Sequence, residues 1–305
     1  MATIATIHRG PRRRPRWRRK LTAGRALTYL LLTFFALFMI VPYLWMLSAS
    51  LKPNAEIFTS TIEWLPHRLY VQNYGDAFGM AHMGTLFLNT AVVSVASVLL
   101  NLLFCSMCGF VFARLNFAGK SALFWLLMAT MMVPFEVQMI PIFLIARGFP
   151  LMGGNNILGQ GGTGLMNSYA GLVFPNCVTV AGIFMFRQFF LRFPHELEDA
   201  SRIDGASYAG FYWRILMPNC RPVIATLALS VFLWSWNDFL WPLVIIRDMN
   251  MKTLQLGLAA FQQENSTNWG PMMAACVMIT VPVIALFLSL QRYFVQNVTS
   301  SGLKG

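Results

Sequence analysis

The sequence contains few charged residues, since Asp, Glu, Lys and Arg together make up only 11% of its 305 residues. Soluble domains carry about 25%. With 57% hydrophobic residues and a mean hydropathy of +0.58, this deficit excludes an ordinary soluble domain, a disordered chain and a coiled coil. The composition indicates a chain whose surroundings are lipid.

Acidic residues are especially scarce, with 11 Asp and Glu against 23 Lys and Arg. In a membrane protein an excess of basic residues sets the orientation of the chain rather than an affinity for nucleic acid. We therefore expect no nucleic-acid partner, and the positions of the basic residues become the useful observation.

Residues that ligate metals or carry catalysis are also few and scattered. The 4 His residues include no pair at a spacing of three or four, which a helical metal site would need. The 5 Cys residues are odd in number, and Cys105 and Cys108 form a C-x-x-C pair inside an apolar segment, where a thiol packs as a small hydrophobic group. The sequence therefore predicts no disulfide framework, no metal site and no catalytic residue, and hence not an enzyme.

Two short motifs imitate nucleotide-binding loops without the required context. Gly159, Gly161 and Gly164 spell G-x-G-x-x-G, but no strand precedes them. Gly119-Lys120-Ser121 matches the end of a phosphate-binding loop, yet Arg114 occupies the position of its first glycine. We expect that this chain binds no ATP and no other cofactor itself.

Long apolar stretches are the dominant pattern, and six of them reach the roughly 20 residues that a membrane-spanning helix needs. They cover 26–51, 87–112, 123–146, 170–190, 222–246 and 273–294. Because lipid offers the backbone no hydrogen-bond partners, such stretches are helical. The sequence predicts an all-α membrane protein with six transmembrane helices. Its parts are a basic N-terminal tail over 1–25, a transmembrane domain over 26–295 and a C-terminal tail over 296–305.

The basic residues distinguish the two sides of the membrane. Eighteen of the 23 Lys and Arg lie in the two tails and in or beside the connections after the second and fourth spans, and five lie in the other connections. The positive-inside rule then places both termini in the cytoplasm. The first span exceeds the apolar core of a signal peptide, so we expect it to be retained.

The longest cytoplasmic connection, residues 192–218, carries the signals of two short helices. Pro194 suits the start of a first helix with acids in its initial turn, and Gly205 supplies the left-handed residue that ends it. Ser207 is suited to cap a second helix that ends before Pro218. An ordinary loop lying on the membrane surface is the alternative.

Specific residues of this connection follow a known pattern, E-A-A-x3-G-x9-I-x-L-P. The corresponding residues are Asp199-Ala200-Ser201, Gly205, Ile215 and Met217-Pro218. Asp, Ser and Met replace Glu, the second Ala and Leu, which keeps charge, size and hydrophobicity. The pattern resembles the loop of ABC importer permease subunits, specifically the carbohydrate-uptake family typified by the smaller maltose permease subunit (MalG-like).

The resemblance extends over nearly all of residues 26–305. It includes the segments 183–190, 236–242 and 291–295. The Gly-rich stretch 153–164 departs from the family, because it is longer than the corresponding loop usually is.

The resemblance implies an ABC importer type I permease fold (MetI-like) in a bacterial cytoplasmic membrane. It implies that the subunit imports a sugar with three kinds of partner. These are a second, similar permease subunit, two copies of a cytoplasmic ATPase that bind ATP and Mg, and an extracytoplasmic sugar-binding protein. It also implies that the first helix of the 192–218 loop docks on the ATPase and transmits its closing motion.

We assign six residues to this ATPase contact. They are Glu198, Asp199, Ala200, Arg202, Asp204 and Gly205. Small residues allow close approach, while exposed acids and Arg202 can pair with a partner.

Polar residues inside the predicted spans indicate a cavity or a buried partner, because a charge in hydrocarbon is costly. By helical rise, Glu136 and Asp238 lie at similar depths in the outer half of the membrane. We assign seven residues to the translocation pathway: Glu136, Gln138, Asn237, Asp238, Trp234, Trp236 and Trp241. A structural hydrogen-bond network for the acids and simple packing for the tryptophans are the alternatives.

The outer connection between the fifth and sixth spans is polar and aromatic. The family implies that this loop reaches toward the binding protein. The residues assigned to that contact are Phe261, Gln262, Gln263, Asn265, Asn268 and Trp269. An ordinary solvated loop is the alternative.

Two other classes of membrane protein compete with this interpretation, an ion-coupled secondary transporter and a membrane-embedded enzyme. The first usually shows internal repeats and broken helices that face each other, and the second needs a cluster of catalytic groups. The sequence displays neither signal.

Overall fold

A computed structural model describes residues 23–59, 61, 63–80, 82–261 and 267–301 of the chain. Regular secondary structure in these ranges is helical, apart from one isolated bridge residue at Thr267. This confirms the all-α prediction. Residues 1–22 of the basic tail, the last four residues, and Gln262, Gln263 and Asn265 of the outer loop lie outside the described part.

The helices are numbered in chain order over the described ranges. They are α1 (Ala23–Ala49), α2 (Gln72–Met80), α3 (Met83–Arg114), α4 (Lys120–Thr130), α5 (Phe135–Arg147), α6 (Tyr169–Val173), α7 (Val180–Arg192), α8 (His195–Ile203), α9 (Tyr208–Phe211), α10 (Met217–Asn219), α11 (Arg221–Trp236), α12 (Leu240–Ile245), α13 (Leu254–Leu258) and α14 (Trp269–Ser301). A π-helical turn, Tyr212–Leu216, joins α9 to α10. Short 3₁₀ turns cover Asn54–Glu56, Phe174–Asn176, Met249–Met251 and Ala259–Phe261.

Three stretches of the described chain are long and apolar enough to cross a membrane as single helices. They are Ala23–Ser50, Met83–Arg114 and Trp269–Tyr293. Three pairs of shorter helices reach the same length and hydropathy only together, and each pair is bent. The bends are 107° between α4 and α5, 49° between residues 169–176 and α7, and 77° between residues 208–219 and α11. By length and composition, the described chain therefore has three candidate spans, or up to six when each bent pair counts as one.

The third, fourth and fifth predicted spans are not the continuous helices that the sequence suggests. The fourth is interrupted between Asn176 and Val180. The third breaks before α5 because Pro134 has no backbone N–H and disfavours a helical conformation in the residue before it. Nε2 of Gln138 donates to the carbonyl of Val133 over 2.8 Å at this break. The fifth span ends at Trp236 and resumes as α12 only at Leu240.

Helix α3 is the central element of the packed unit that begins at Met46. It packs most extensively against α7 and α11, and its side chains contribute to all three buried hydrophobic clusters. Residues 23–45 of α1 form a separate helical unit.

One face of α3 carries buried polar side chains within its apolar length. They are Asn89, Thr90, Ser94, Ser97, Asn101 and Ser106. Several of them bind backbone groups where other helices begin or end: Nδ2 of Asn101 donates to the carbonyl of Asn176 over 2.9 Å, and Oγ1 of Thr90 accepts from the backbone N–H of Leu254 over 2.8 Å. Because lipid supplies no hydrophobic drive between helices, such bonds contribute directly to their association. The polar face thus holds the shorter segments against α3.

Helices α3 and α7 approach each other closely at two glycines. A Cβ added to Gly109 would lie 2.6 Å from Cβ of Phe186, and a Cβ added to Gly182 would lie 2.8 Å from Sγ of Cys105. Both distances are shorter than real Cβ contacts. The crossing therefore requires residues without a side chain at these positions.

We expect Gly109→Ala to destabilise the protein, because the added methyl group must push α7 away from α3. Overpacking of this kind costs about 1–3 kcal/mol. Thermal unfolding of the detergent-solubilised protein, followed by tryptophan fluorescence, should therefore show a midpoint lowered by several degrees. Gly75→Ala in α2 is the matched control, because nothing lies within 4 Å of its added Cβ. An unchanged midpoint for Gly109→Ala would contradict the close contact.

Candidate functional site

The first helix of the 192–218 connection forms where the sequence predicts it. Helix α8 follows Pro194 and carries Glu196 and Glu198 in its first turn, where acids favour the helix dipole. Gly205 ends it with a left-handed φ of +78°. The backbone N–H of Ala206 bonds the carbonyl of Ser201 over 2.9 Å, and that of Gly205 bonds the carbonyl of Arg202 over 3.0 Å. These two bonds form a Schellman motif, which requires the left-handed residue.

The second helix begins as predicted but ends later. Oγ of Ser207 accepts from the backbone N–H of Gly210 over 3.1 Å and so caps α9. The helical path then continues past Pro218 to Asn219, which corrects the expected end before the proline. A wide π-helical turn precedes Pro218, and Nδ2 of Asn219 donates to the carbonyl of Ile215 over 2.7 Å. This side-chain bond helps to satisfy the carbonyl groups near the residue that has no N–H.

Glu198 is buried, with 6% of its surface exposed, and this corrects the expectation that it is one of the exposed acids of α8. Its Oε2 lies 3.3 Å from Nη1 of Arg114, whose side chain is 1% exposed. Its Oε1 lies 3.0 Å from Nη2 of Arg202, whose side chain is 48% exposed. The carboxylate of α8 is thus held between one buried and one half-exposed cation.

The guanidinium of Arg114 joins three helix ends. It is the last residue of α3, and its Nη2 donates to the carbonyls of Phe190 and Phe193 over 2.7 and 2.5 Å, at the end of α7. Its Nη1 lies 2.8 Å from Nδ1 of His195, the first residue of α8. Five donors on a rigid plane suit this task, since one group can satisfy carbonyls and a carboxylate together. These contacts hold the start of α8 against the ends of α3 and α7.

Sequence reasoning misses Arg114 as a site residue, because its partners lie far along the chain. The one available signal is an arginine that ends a long apolar stretch, and on its own it indicates only a membrane boundary.

The opposite face of α8 is open. Asp199, Ala200 and Asp204 are exposed, and so are two apolar side chains that the sequence does not single out, Leu197 at 48% and Ile203 at 86%. The exposed face of α8 therefore combines apolar and acidic side chains. The guanidinium carbon of Arg202 lies 4.5 Å from the ring centre of Tyr208, which connects α8 to the following helix.

A second set of predicted residues comes together at the break in the fifth span. Glu136, Trp234, Asn237 and Asp238 line one open pocket of about 530 Å³. Oδ1 of Asp238 accepts from the backbone N–H of Trp241 over 3.3 Å. Gln138 does not line this pocket, because its amide is bonded at the break before α5.

Trp236 and Trp241 do not offer open faces to a ligand, which corrects their assignment as sugar-stacking groups. Trp236 is 2% exposed, stacks on Phe232 with ring centres 5.0 Å apart, and donates to the carbonyl of Ile279. Trp241 is fully buried and donates to the carbonyl of Gly171 over 2.8 Å. Both indoles are packing elements with satisfied N–H groups. Trp234, at 57% exposed, remains the available aromatic face.

The described part of the outer loop is largely occupied by contacts within the chain. Phe261 is 2% exposed and belongs to a hydrophobic cluster, so it is not a surface contact as predicted. Oδ1 of Asn268 accepts from Nδ2 of Asn54 over 3.2 Å, and the ring of Trp269 meets that of Phe58 edge to face with centres 5.1 Å apart. These contacts join the start of α14 to the segment after α1.

A family model described as the binding-protein-dependent transport system inner membrane component matches residues 105–300. The permease protein AraQ of the arabinooligosaccharides transport system of Halalkalibacterium halodurans is 35% identical over 275 residues, covering 89% of this chain and 94% of AraQ. The permease protein NgcG of the diacetylchitobiose uptake system of Streptomyces coelicolor is 30% identical over 278 residues, covering 90% and 87%.

A solved structure has the same fold. It is the crystal structure of a bacterial ABC transporter involved in the import of the acidic polysaccharide alginate. One chain of that structure superimposes with a TM-score of 0.73 at 23% identity, covering 88% of this chain and 95% of the other.

The all-helical fold and these matches define a multi-pass membrane permease. The chain belongs to the binding-protein-dependent transport system inner membrane component family, as an ABC transporter permease of the carbohydrate-uptake type. The resemblance inferred from the 192–218 connection is confirmed.

We expect Arg114→Met to destabilise the protein by about 3 kcal/mol, the lower end of the range for removing one partner of a buried ion pair. The lower end applies because Arg202 still contacts Glu198. Denaturant unfolding of the solubilised protein measures the effect. Adding Glu198→Gln to this variant should recover part of the loss, because the remaining buried charge is removed.

Arg202→Met is the matched control, because Arg202 contacts the same carboxylate at 3.0 Å but is half exposed. Its cost should be below about 1 kcal/mol. Equal losses for the two arginine variants would contradict the role given to burial.

Proposed function

We propose that the chain is one permease subunit of an ATP-driven importer for a sugar or oligosaccharide in a bacterial cytoplasmic membrane. Its partners are a second, similar permease subunit, two copies of a cytoplasmic ATPase and an extracytoplasmic binding protein that delivers the sugar. The chain is not an enzyme and holds no cofactor, since ATP and Mg bind to the ATPase. The names of its relatives support a sugar substrate, because AraQ and NgcG are permeases for arabinooligosaccharides and diacetylchitobiose.

The proposed topology has the six spans that the sequence predicts, the interrupted ones included, with both termini in the cytoplasm. The distribution of basic residues supports this orientation. The same orientation puts α8 and the end of α3 on the cytoplasmic side, and the pocket at Asp238 in the outer half of the membrane. The chain then contacts the ATPase on the cytoplasmic side and the sugar in the outer half of the membrane.

The buried contact between Arg114 and Glu198 is the observation that carries the coupling mechanism. We propose that the exposed face of α8 docks on the ATPase through Asp199, Ala200, Asp204 and the apolar Ile203. Glu198 contributes to coupling from the buried face of α8, because it fixes this helix to the membrane domain. Closure of the ATPase pair then moves α3 and α7 together with α8, and the permease alternates between outward and inward access.

The sugar pathway is proposed to pass the pocket lined by Glu136, Trp234, Asn237 and Asp238. Carboxylates and amides can bind hydroxyl groups, while an exposed indole offers a face on which a sugar ring can stack. Nε2 of Gln255 donates to Oδ1 of Asn237 over 3.2 Å, so the pocket wall is itself braced from the outer side of the chain.

The outer loop that starts after α13 is proposed to contact the binding protein. Asn268 and Trp269 keep part of their surface exposed at the start of α14. Gln262, Gln263 and Asn265 belong to the same proposal from the sequence alone.

The function is tested by reconstituting this chain with its permease and ATPase partners in proteoliposomes. Sugar-loaded binding protein should stimulate ATP hydrolysis and drive uptake. Uptake driven by an ion gradient in the absence of the ATPase would instead support the secondary transporter. Turnover of a substrate by this chain alone would support the membrane-embedded enzyme.

Gly205 tests the coupling step separately from packing, because nothing lies within 4 Å of an added Cβ while its φ is +78°. Asn tolerates this conformation better than Ala, whereas Val tolerates it poorly and Pro cannot adopt it. We expect uptake to fall in the order Gly, Asn, Ala, Val and to be lost in Gly205→Pro. ATP hydrolysis should lose its response to the binding protein in parallel.

Gly79→Ala is the control for this series, because its added Cβ also meets open space and its φ is not positive. Its uptake should equal that of the wild type. If Gly205→Pro retained ATPase association and wild-type uptake, the assignment of this turn to coupling would be wrong.

A further inference from the structure

A groove between α4 and α7 is not used by the proposed import mechanism. It has a volume of about 510 Å³. Its polar part is formed by Lys120, Ser121, Arg187 and Gln188, and much of its apolar wall by Phe124, Trp125 and Met128. Two cations therefore face a cavity whose walls are mostly apolar.

Neither cation has an acidic partner among the described residues. Nζ of Lys120 donates to the carbonyl of Leu115 over 2.7 Å, and Nε of Arg187 donates to the carbonyl of Phe112 over 3.3 Å. The guanidinium carbon of Arg187 lies 4.0 Å from the ring centre of Phe124. The groove lining contains no Asp or Glu, so the positive charge of this site is not neutralised by the described part of the chain.

The groove lies where apolar helices meet a polar connection. Lys120 is the first residue of α4 and follows the short link after Arg114, while Arg187 lies in the second half of α7. The apolar part of the groove opens outward, since Trp125 is 69% exposed and Phe184, also in the wall, is 41% exposed. The cations at the rim are complementary to the phosphate of an anionic lipid. The exposed apolar groups beyond them are complementary to its hydrocarbon chains.

We propose that this groove binds one anionic phospholipid. Its phosphate lies between Lys120 and Arg187, the hydroxyl of Ser121 and the positive end of α4 add donors, and an acyl chain follows Phe124, Trp125 and Met128. Basic pockets between transmembrane helices on the cytoplasmic side are known to suit anionic headgroups. Two cations without a nearby acid favour an anionic over a zwitterionic lipid, because the second carries a positive group that they would repel.

Native mass spectrometry of the assembled transporter in an equimolar mixture of phosphatidylglycerol and phosphatidylcholine tests the proposal. We expect one phosphatidylglycerol per copy of this chain to be retained with clear preference. In the double variant Lys120→Gln, Arg187→Gln, the affinity for this lipid should fall about 30-fold, as expected for the loss of two cations. Equal retention of the two lipids by the wild-type protein would overturn the proposal.

Arg214→Gln with Arg221→Gln is the matched control, because it removes two exposed charges that do not line the groove. It should keep the lipid preference, and equal loss in both double variants would overturn a specific site. Arg187→Lys, which keeps the charge, and Lys120→Gln alone cover the case in which Arg187→Gln fails to fold. The first should retain the lipid and the second should weaken its binding.

A photoreactive p-benzoylphenylalanine in place of Trp125 identifies the occupant directly. Irradiation of the assembled transporter in phosphatidylglycerol vesicles should give a lipid adduct that disappears in the Lys120→Gln, Arg187→Gln background. A crosslink to another polypeptide would show that a protein covers the groove and would overturn the proposal. The result does not depend on which sugar is imported or on coupling to the ATPase, so its failure is distinguishable from failure of the proposed function.

Discussion

The buried guanidinium of Arg114 is the group on which the packing of α8 against the membrane domain depends. A charge in a protein interior is tolerated only when it is paired and hydrogen-bonded, and Arg114 meets both conditions through Glu198 and the carbonyls at the end of α7. The same contacts orient α8, because Glu198 is one turn inside that helix. The contacts that Arg114 needs in order to be buried therefore also attach the surface helix α8 to the membrane domain.

The membrane domain itself is arranged around α3. Its glycine at position 109 admits α7, and its buried polar face binds backbone groups at the ends of broken or short helices. A helix that is contacted on several faces and ends in Arg114 is well placed to transmit displacement along its length. The broken spans have a different role. A break at Pro134 or after Trp236 places polar groups where a pocket can form.

The features predicted correctly are those with local causes. Pro194, Gly205 and Ser207 act on the residues beside them, so the bounds of α8 and the cap of α9 follow from the sequence. Glu136 and Asp238, assigned together to the translocation pathway from the sequence, line one pocket of the structure. The burial of Glu198, Trp236 and Trp241 depends on distant partners, which periodicity does not reveal. The break before α5 escapes prediction because a proline in an apolar stretch is compatible with either a kink or a complete interruption.

Labelling of a cysteine at position 203 tests the central claim most directly, because Ile203 is 86% exposed on the face of α8 opposite Arg114. The variant carries Ile203→Cys with the 5 native cysteines replaced, and a membrane-impermeant maleimide is applied to each side of the membrane. The account predicts labelling in inside-out vesicles stripped of the ATPase, protection when the ATPase is restored, and no labelling in intact cells. Labelling from outside intact cells would contradict it.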